Sequence, residues 1–357
     1  MAAPIWEADS LTSVRRLALT LAAAAFGGWL ASMIGIPLPW VLGAMFGVSI
    51  VGLAGAQSQV FLQPAWARRG AQLLIGCALG LYFTPAVILQ VSGLAAWMMC
   101  GALLAMLLSV VCAKLLQRLA RVDGPTAIYS VVIGASSEMA LQAIRAGADG
   151  ALVASAHAVR IILVTCTVSL VAWSTGAPSA VQYVDAPVVS MLAGSILLTS
   201  SAGAAWLVRR LRMPNPWLLG PLIVCAAAAA LGLDARLPDG LMIVSQVVIG
   251  WALGQSISRD FFRRAPRVLA SAACLTLCMI VVCASFAAVV AGVTGLPLLT
   301  GFVGLAPGGM AEMAVIAKAF GLGAPVVLGF HLIRVFATIF LTRHLAAWML
   351  RSGWIRH

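Results

Sequence analysis

The sequence predicts an all-α polytopic membrane protein. It is expected to be two inverted repeats of about five spans, each with one further re-entrant or broken segment. Three observations predict this: the composition, an internal duplication and the placement of the basic residues. Of 357 residues, 62% are hydrophobic and only 9% are charged, against about 25% charged in a soluble domain. Mean hydropathy is +1.06. No water-soluble fold hides this much apolar surface. The apolar stretches are continuous rather than alternating, which excludes a transmembrane β-barrel. The composition also excludes a disordered chain, a cytosolic enzyme and a self-contained DNA-binding protein.

Each half offers six apolar segments. In the first half they lie at about 17–34, 37–55, 70–89, 92–113, 124–144 and 150–173. In the second they lie at about 186–208, 213–233, 240–258, 268–293, 297–317 and 324–342. Most reach the roughly 20 residues that a helix needs to span. The first follows Arg15 and Arg16, as a signal peptide's apolar region would. It reads as a retained span, because a related segment recurs in mid-chain.

The halves are copies. Residues 72–80 read QLLIGCALG and 246–254 read QVVIGWALG, an offset of 174. The same offset pairs Glu138-Met139-Ala140 with Glu312-Met313-Ala314, and His157-x-x-Arg160 with His331-x-x-Arg334. Upstream, PLPWVLG (37–43) matches PNPWLLG (214–220) at an offset of 177. Two apolar stretches can match once by chance, but not with Glu, His and Arg in one register. The repeats are placed at 1–176 and 177–357.

Charge gives the orientation. The chain carries 22 Lys and Arg against 10 Asp and Glu, a net +12. The basic residues cluster between apolar runs, which is how topology is written. Twelve crossings would spread the loop cations almost evenly over both sides. If the fifth segment of each half enters and leaves on one side, 18 fall inside and two, Arg236 and Lys318, outside. Arg160 and Arg334 then stay in the membrane. Both termini are placed in the cytoplasm. Segment five is also a poor helix, with GASS before Glu138 and Pro307-Gly308-Gly309 before Glu312. A broken spanning helix explains those residues equally well; the charge count favours the hairpin.

The chain resembles the AbrB-type bacterial inner-membrane proteins, whose hallmark is a duplicated membrane domain. The resemblance rests on P-x-P-W-x-L-G in both halves, on GASSEMA (134–140) and on APGGMAEMA (306–314). Members carry names as different as ammonia monooxygenase and regulator of gene expression. The resemblance implies an integral inner-membrane protein distantly related to secondary carriers, without a settled substrate.

Six ionisable residues lie well inside apolar segments: Glu138, His157, Arg160, Glu312, His331 and Arg334. Burying each costs at least about 2–3 kcal/mol. His157 and Arg160 are three apart and share a helix face. Two readings stand. In the structural one, each Glu pairs with the Arg of its own half and fastens hairpin to helix. In the functional one, Ser136, Ser137, Glu138, His157, Arg160, Gly308, Gly309, Glu312, His331 and Arg334 form a substrate or ion site at the repeat interface. Hairpin tips would supply backbone N–H groups, Arg a bidentate anion clamp, and Glu or His a coupling proton.

The function expected is a secondary transporter moving a small solute, with an organic anion favoured, by alternating access with proton or sodium coupling. The alternative is a membrane protein acting indirectly in regulation of gene expression. An enzyme is not expected: a copper or iron centre wants clustered His or carboxylates, and the chain has four His. The eight Cys lie in apolar runs without a CxxC pair. No cofactor or metal is expected. The expected partners are a small-molecule or ion substrate, the lipid bilayer and, in a homo-oligomer, further copies of the chain. Direct nucleic-acid binding is not expected.

Overall fold

The computed structural model describes residues 10–54, 60, 62–134, 136–176, 187–211, 213, 215–257 and 265–355, without the side chains of 10–12, 86, 136–138 and 141. The chain is helical: α1 (Ser10–Ile34), α2 (Pro39–Ala54), α3 (Ala65–Gly80), α4 (Pro85–Gly93), α5 (Ala95–Ala120), α6 (Gly124–Val131), α7 (Ser136–Arg145), α8 (Gly150–Ser174), α9 (Met191–Arg210), α10 (Pro216–Ala230), α11 (Asp239–Gly254), α12 (Pro266–Thr294), α13 (Leu298–Leu305), α14 (Met310–Ala319) and α15 (Ala324–Arg351). Among the described residues, one isolated parallel bridge, Val188 with Arg236, is the only strand-like pairing.

Helix boundaries recur with the sequence offset. Adding 174 to α3 (65–80), α6 (124–131) and α7 (136–145) gives 239–254, 298–305 and 310–319, the bounds of α11, α13 and α14. The start of α8, Gly150, maps onto Ala324, the start of α15. Six described helices (α1, α5, α8, α9, α12 and α15) are long and apolar enough to cross a membrane. The apolar helices α2, α10 and α11 have 15–16 residues, shorter than the sequence suggests. The apolar run at 70–89 is also divided: Thr84 caps a new helix, α4, with Pro85 in its first turn.

The chain forms two compact units that cut across the sequence halves: residues 1–71 with 240–264, and residues 72–239 with 265–357. In the first unit α1 lies against α2 through Gly27, Gly43 and Gly47, where added methyl groups would overlap the partner's backbone. On the other side of α2, Gly250 and Gly254 of α11 meet the carbonyl oxygens of Val41 and Met45. Gln63 ties this unit together, its side chain donating to Val248 O at 2.6 Å and its N–H to Gln255 Oε1 at 2.7 Å.

The second unit repeats this interface with other residues. Gly76 and Gly80 of α3 meet the carbonyl oxygens of Leu218 and Leu222 on α10, and Gly220 lies on Ala205 of α9. Gly76 and Gly80 plus 174 give Gly250 and Gly254; Leu218 and Leu222 minus 177 give Val41 and Met45. Each third helix therefore packs on the helix pair of the other repeat.

The rest of the second unit interleaves both copies. α5 and its counterpart α12 run antiparallel: Trp97 stacks near Phe286, ring centroids 6.3 Å apart, while Cys112, fifteen residues on, lies near Cys278. α5 runs alongside α15 in the same direction, with Met98 against Gly329, Gly101 against Phe330, and Lys114 donating to Trp354 O.

Segment five is a helical hairpin in both copies. In the first, the Asp149 N–H at its exit donates to Thr126 Oγ1 at its entry, 3.0 Å away. Asp123 caps α6 and Asp149 caps α8. In the second, a Cβ on Gly323 would lie 3.5 Å from Thr300 Cγ2, the equivalent pair. The chain breaks between the two short helices because the residues after α6 and α13, Val132 and Ala306, turn extended, with ψ of 125° and 139°.

Candidate functional site

The two hairpin tips and the His-Arg faces of α8 and α15 make the candidate site, all within the second unit. An eight-residue helix leaves its last carbonyl groups without helical partners. Here arginine and histidine supply them. The Arg160 guanidinium donates to Val132 O at 2.9 Å and Val131 O at 3.4 Å. Arg334 donates to Ala306 O at 2.7 Å, Gly308 O at 3.0 Å and Leu305 O at 3.5 Å. Each cation also sits at the negative end of a helix dipole.

The histidines bridge cation and helix. His157 Nε2–H donates to Tyr129 O at 2.9 Å, and its Nδ1 accepts from Arg160 at 2.9 Å. His331 repeats this with Val303 O at 3.0 Å and Arg334 at 2.6 Å. A carbonyl only accepts and a guanidinium only donates, so both rings are neutral and of the Nε2–H tautomer. All four side chains are buried, none more than 4% exposed. A ring whose two nitrogens hold this latch is a poor carrier for a coupling proton.

For Arg334 the geometry departs from both sequence readings. Its four terminal N–H groups are spent on carbonyls and on histidine, while Arg160 spends three of its four. Arg334 does not pair with Glu312 either: among the described residues the one ion pair is Arg236 with Asp239. What stays open is Nε, buried without a partner among the described residues in Arg160 and in Arg334 alike. The two guanidinium groups are near enough to repel one another. The latches of the two repeats therefore lie close together.

Glu312 is the third residue of α14, after the cap residue Gly309. Its carboxylate folds back over that cap, so that a Cβ on Gly309 would overlap Oε2. Only glycine leaves this room. Glu312 is 9% exposed, and its carboxylate sits at the positive end of the α14 dipole. Gly308 gives its carbonyl to Arg334. Ser136, Ser137 and Glu138 start α7 at the equivalent place, but their side chains lie outside the described part of the structure, as does residue 135.

One contact has no sequence forewarning. Thr338, one turn beyond Arg334, shares its single O–H between Arg334 O at 2.7 Å and Ile133 O of the other repeat's tip at 3.1 Å, and a Cβ on Gly134 would lie 2.7 Å from its Cγ2. α15 thus holds both tips. Two hydroxyls, Thr338 and Thr342, follow Arg334 in the apolar run, and nothing in the sequence singles out the first.

At the mouth of the second hairpin, Lys318 lies over the Tyr82 ring, 5.6 Å from its centroid, near the Arg236–Asp239 pair. Burial pushes Lys318 down to about 8 and pushes Tyr82 up. The two cations that the charge count left outside are therefore neighbours.

A family model described as "Transition state regulatory protein AbrB" matches residues 59–350. The chain is 26% identical over 350 residues to "Uncharacterized protein YhjN" of Bacillus subtilis (strain 168), covering 90% of each. It is 25% identical over 310 residues to "Putative regulator AbrB" of Escherichia coli (strain K12), covering 85% of this chain and 88% of that protein.

Proposed function

Since the chain belongs to the AbrB family, we propose that this membrane protein is a secondary carrier for a small solute, with an organic anion favoured, coupled to a proton or sodium gradient. The observation that carries the reading is the pair of hairpins whose tips are latched side by side. Half-helices meeting in a membrane protein's interior are how carriers build sites without exposing backbone to lipid. α6 and α13 have eight residues, about 12 Å, which takes their tips towards the middle of a hydrocarbon core about 30 Å thick.

Several features support inversion of the repeats. α5 and α12 are antiparallel copies, the α3–α10 and α2–α11 interfaces are equivalent, and both hairpins return to their side of entry. Ten crossings with two re-entrant hairpins put both termini in the cytoplasm. Helices of 15–16 residues reach about 24 Å, so α2, α10 and α11 cross with local thinning of the bilayer.

In this reading the first-turn N–H groups of α7 and α14, with the arginine Nε–H groups, receive the anion. Glu312, with Glu138 at the equivalent backbone position, carries the coupling charge. The histidines and the arginines' terminal nitrogens hold the tips in shape. No catalytic step is assigned.

The test is uptake of a broad metabolite panel into proteoliposomes, with and without a pH or sodium gradient. Glu312→Gln keeps the side chain's shape and is expected to remove uptake. Wild-type uptake in both the Glu138→Gln and Glu312→Gln proteins would sink the coupling role. The name of the Escherichia coli relative supports a second reading, in which the protein acts indirectly on gene expression. A deletion strain whose transcript changes are reversed equally by wild-type and by Glu312→Gln protein would favour it.

A further inference from the structure

The cytoplasmic end assigned to α15 carries a cleft of about 700 Å³ lined by Arg343, His344, Ala347, Trp348, Arg351 and Ser352. The helical residues recur at alternating intervals of one and three and so share one face. Among the described residues no carboxylate pairs with Arg343 or Arg351. His344 Nδ1–H donates to Phe340 O at 3.2 Å, which leaves Nε2 as an acceptor. Lys114 donates to Trp354 O and lies over its ring, fixing the chain beyond α15 against α5.

The composition changes sharply along this face. One turn back, Phe340 is 68% and Leu341 44% exposed, and Trp348 at the level of the cations is 53% exposed. An exposed apolar flank, then a tryptophan, then two unpaired guanidinium groups is the profile of an acyl chain, an interface and a phosphate in sequence. A soluble phosphate would use the cations but not the flank.

We propose that this cleft seats the phosphate of an anionic phospholipid, with its acyl chains along Phe340 and Leu341. Arg343 and Arg351 take the phosphate oxygens, the Ser352 hydroxyl adds a hydrogen bond, and Trp348 packs on the glycerol region. The binding needs no transport activity and stands whether or not the carrier reading does.

The experiment is native mass spectrometry of the whole protein in neutral detergent, titrated with phosphatidylglycerol, with phosphatidylcholine and, separately, with inorganic phosphate. Phosphatidylglycerol is expected to bind more tightly than phosphatidylcholine. Arg343→Gln and Arg351→Gln should each weaken it about fivefold, and Arg343→Lys should retain most of it. Added salt should weaken it as well. Thermal unfolding of each variant controls for folding, since both side chains are exposed. Equal binding of the two lipids would overturn the proposal, as would full affinity in the double Gln variant. Inorganic phosphate binding that shows the same losses, without lipid preference, would reassign the cleft to a soluble anion and refute the lipid.

Discussion

Replacing Arg334 with Met keeps a long apolar stem and removes the guanidinium that caps α13. The lost partners are Ala306 O at 2.7 Å, Gly308 O at 3.0 Å and His331 Nδ1 at 2.6 Å. Bonds from a charged donor contribute about 1.5–3 kcal/mol each, so the two carbonyl bonds represent roughly 3–6 kcal/mol. Methionine avoids the arginine's desolvation cost, which offsets part of this and leaves an expected loss of about 2–4 kcal/mol. Arg160 has only one short carbonyl bond, at 2.9 Å, with a second at 3.4 Å, so Arg160→Met should lose less. The assay is denaturant unfolding of purified protein in detergent micelles, extended to two double-mutant cycles. Arg334 with His331 should couple strongly. Arg334 with Glu312, which form no ion pair, should couple less strongly than Arg334 with His331. Strong coupling to Glu312, or Arg334→Met as stable as wild type, would refute the carbonyl-cap account.

Two further outcomes are expected. Gly76→Ala and Gly250→Ala each push a methyl group into a backbone carbonyl that cannot swing away, so each should cost about 1–3 kcal/mol; equal losses on unfolding would mark the two interfaces as equivalent. Lys318 holds its proton to about 10.5 when unfolded but only to about 8 when folded. Between those values the unfolded state binds more protons, so this residue's contribution to stability rises with pH and is least favourable below 8. Lys318→Met should therefore stabilise the protein at pH 7 and flatten the rise between pH 8 and 10, read by thermal unfolding at each pH.

The duplication was legible because Glu, His and Arg stand in one register, and the helices obey it: α6 and α7 recur as α13 and α14 residue for residue. The helix breaks were legible from Pro307, Gly308 and Gly309. The exchange of α3 and α11 between helix pairs was not. Gly76 and Gly250 are simply small residues in apolar runs, and nothing in a sequence period says which carbonyl they will meet. Segment 70–89 hid its division for a related reason: the Thr84-Pro85 start of α4 is a weak signal inside an apolar run.

The arginines are the instructive failure. An intramembrane cation suggests an acidic partner, because side-chain charges are what a sequence displays. Backbone carbonyls are acceptors that no residue letter records, and a short half-helix exposes several of them. The clue was a spacing. In both copies the histidine follows its carbonyl partner by 28 residues, and the arginine follows its closest one by 28. Two residues three apart on one helix reach carbonyls three apart on another, which is the pattern of a latch running along a helix end. That frees the carboxylate. With Arg334 satisfied by backbone, Glu312 lies over the cap of α14 without an ion-pair partner among the described residues. On the carrier reading proposed above, such a carboxylate exchanges the coupling ion without breaking the hairpin that holds it, whereas His331 cannot gain a proton at Nδ1 without losing Arg334. On that reading a fixed latch and a loose carboxylate divide the labour, and Glu, His and Arg stand in one register in both copies while the tips differ, Gly-Ala-Ser-Ser at 134–137 against Gly-Gly-Met-Ala at 308–311.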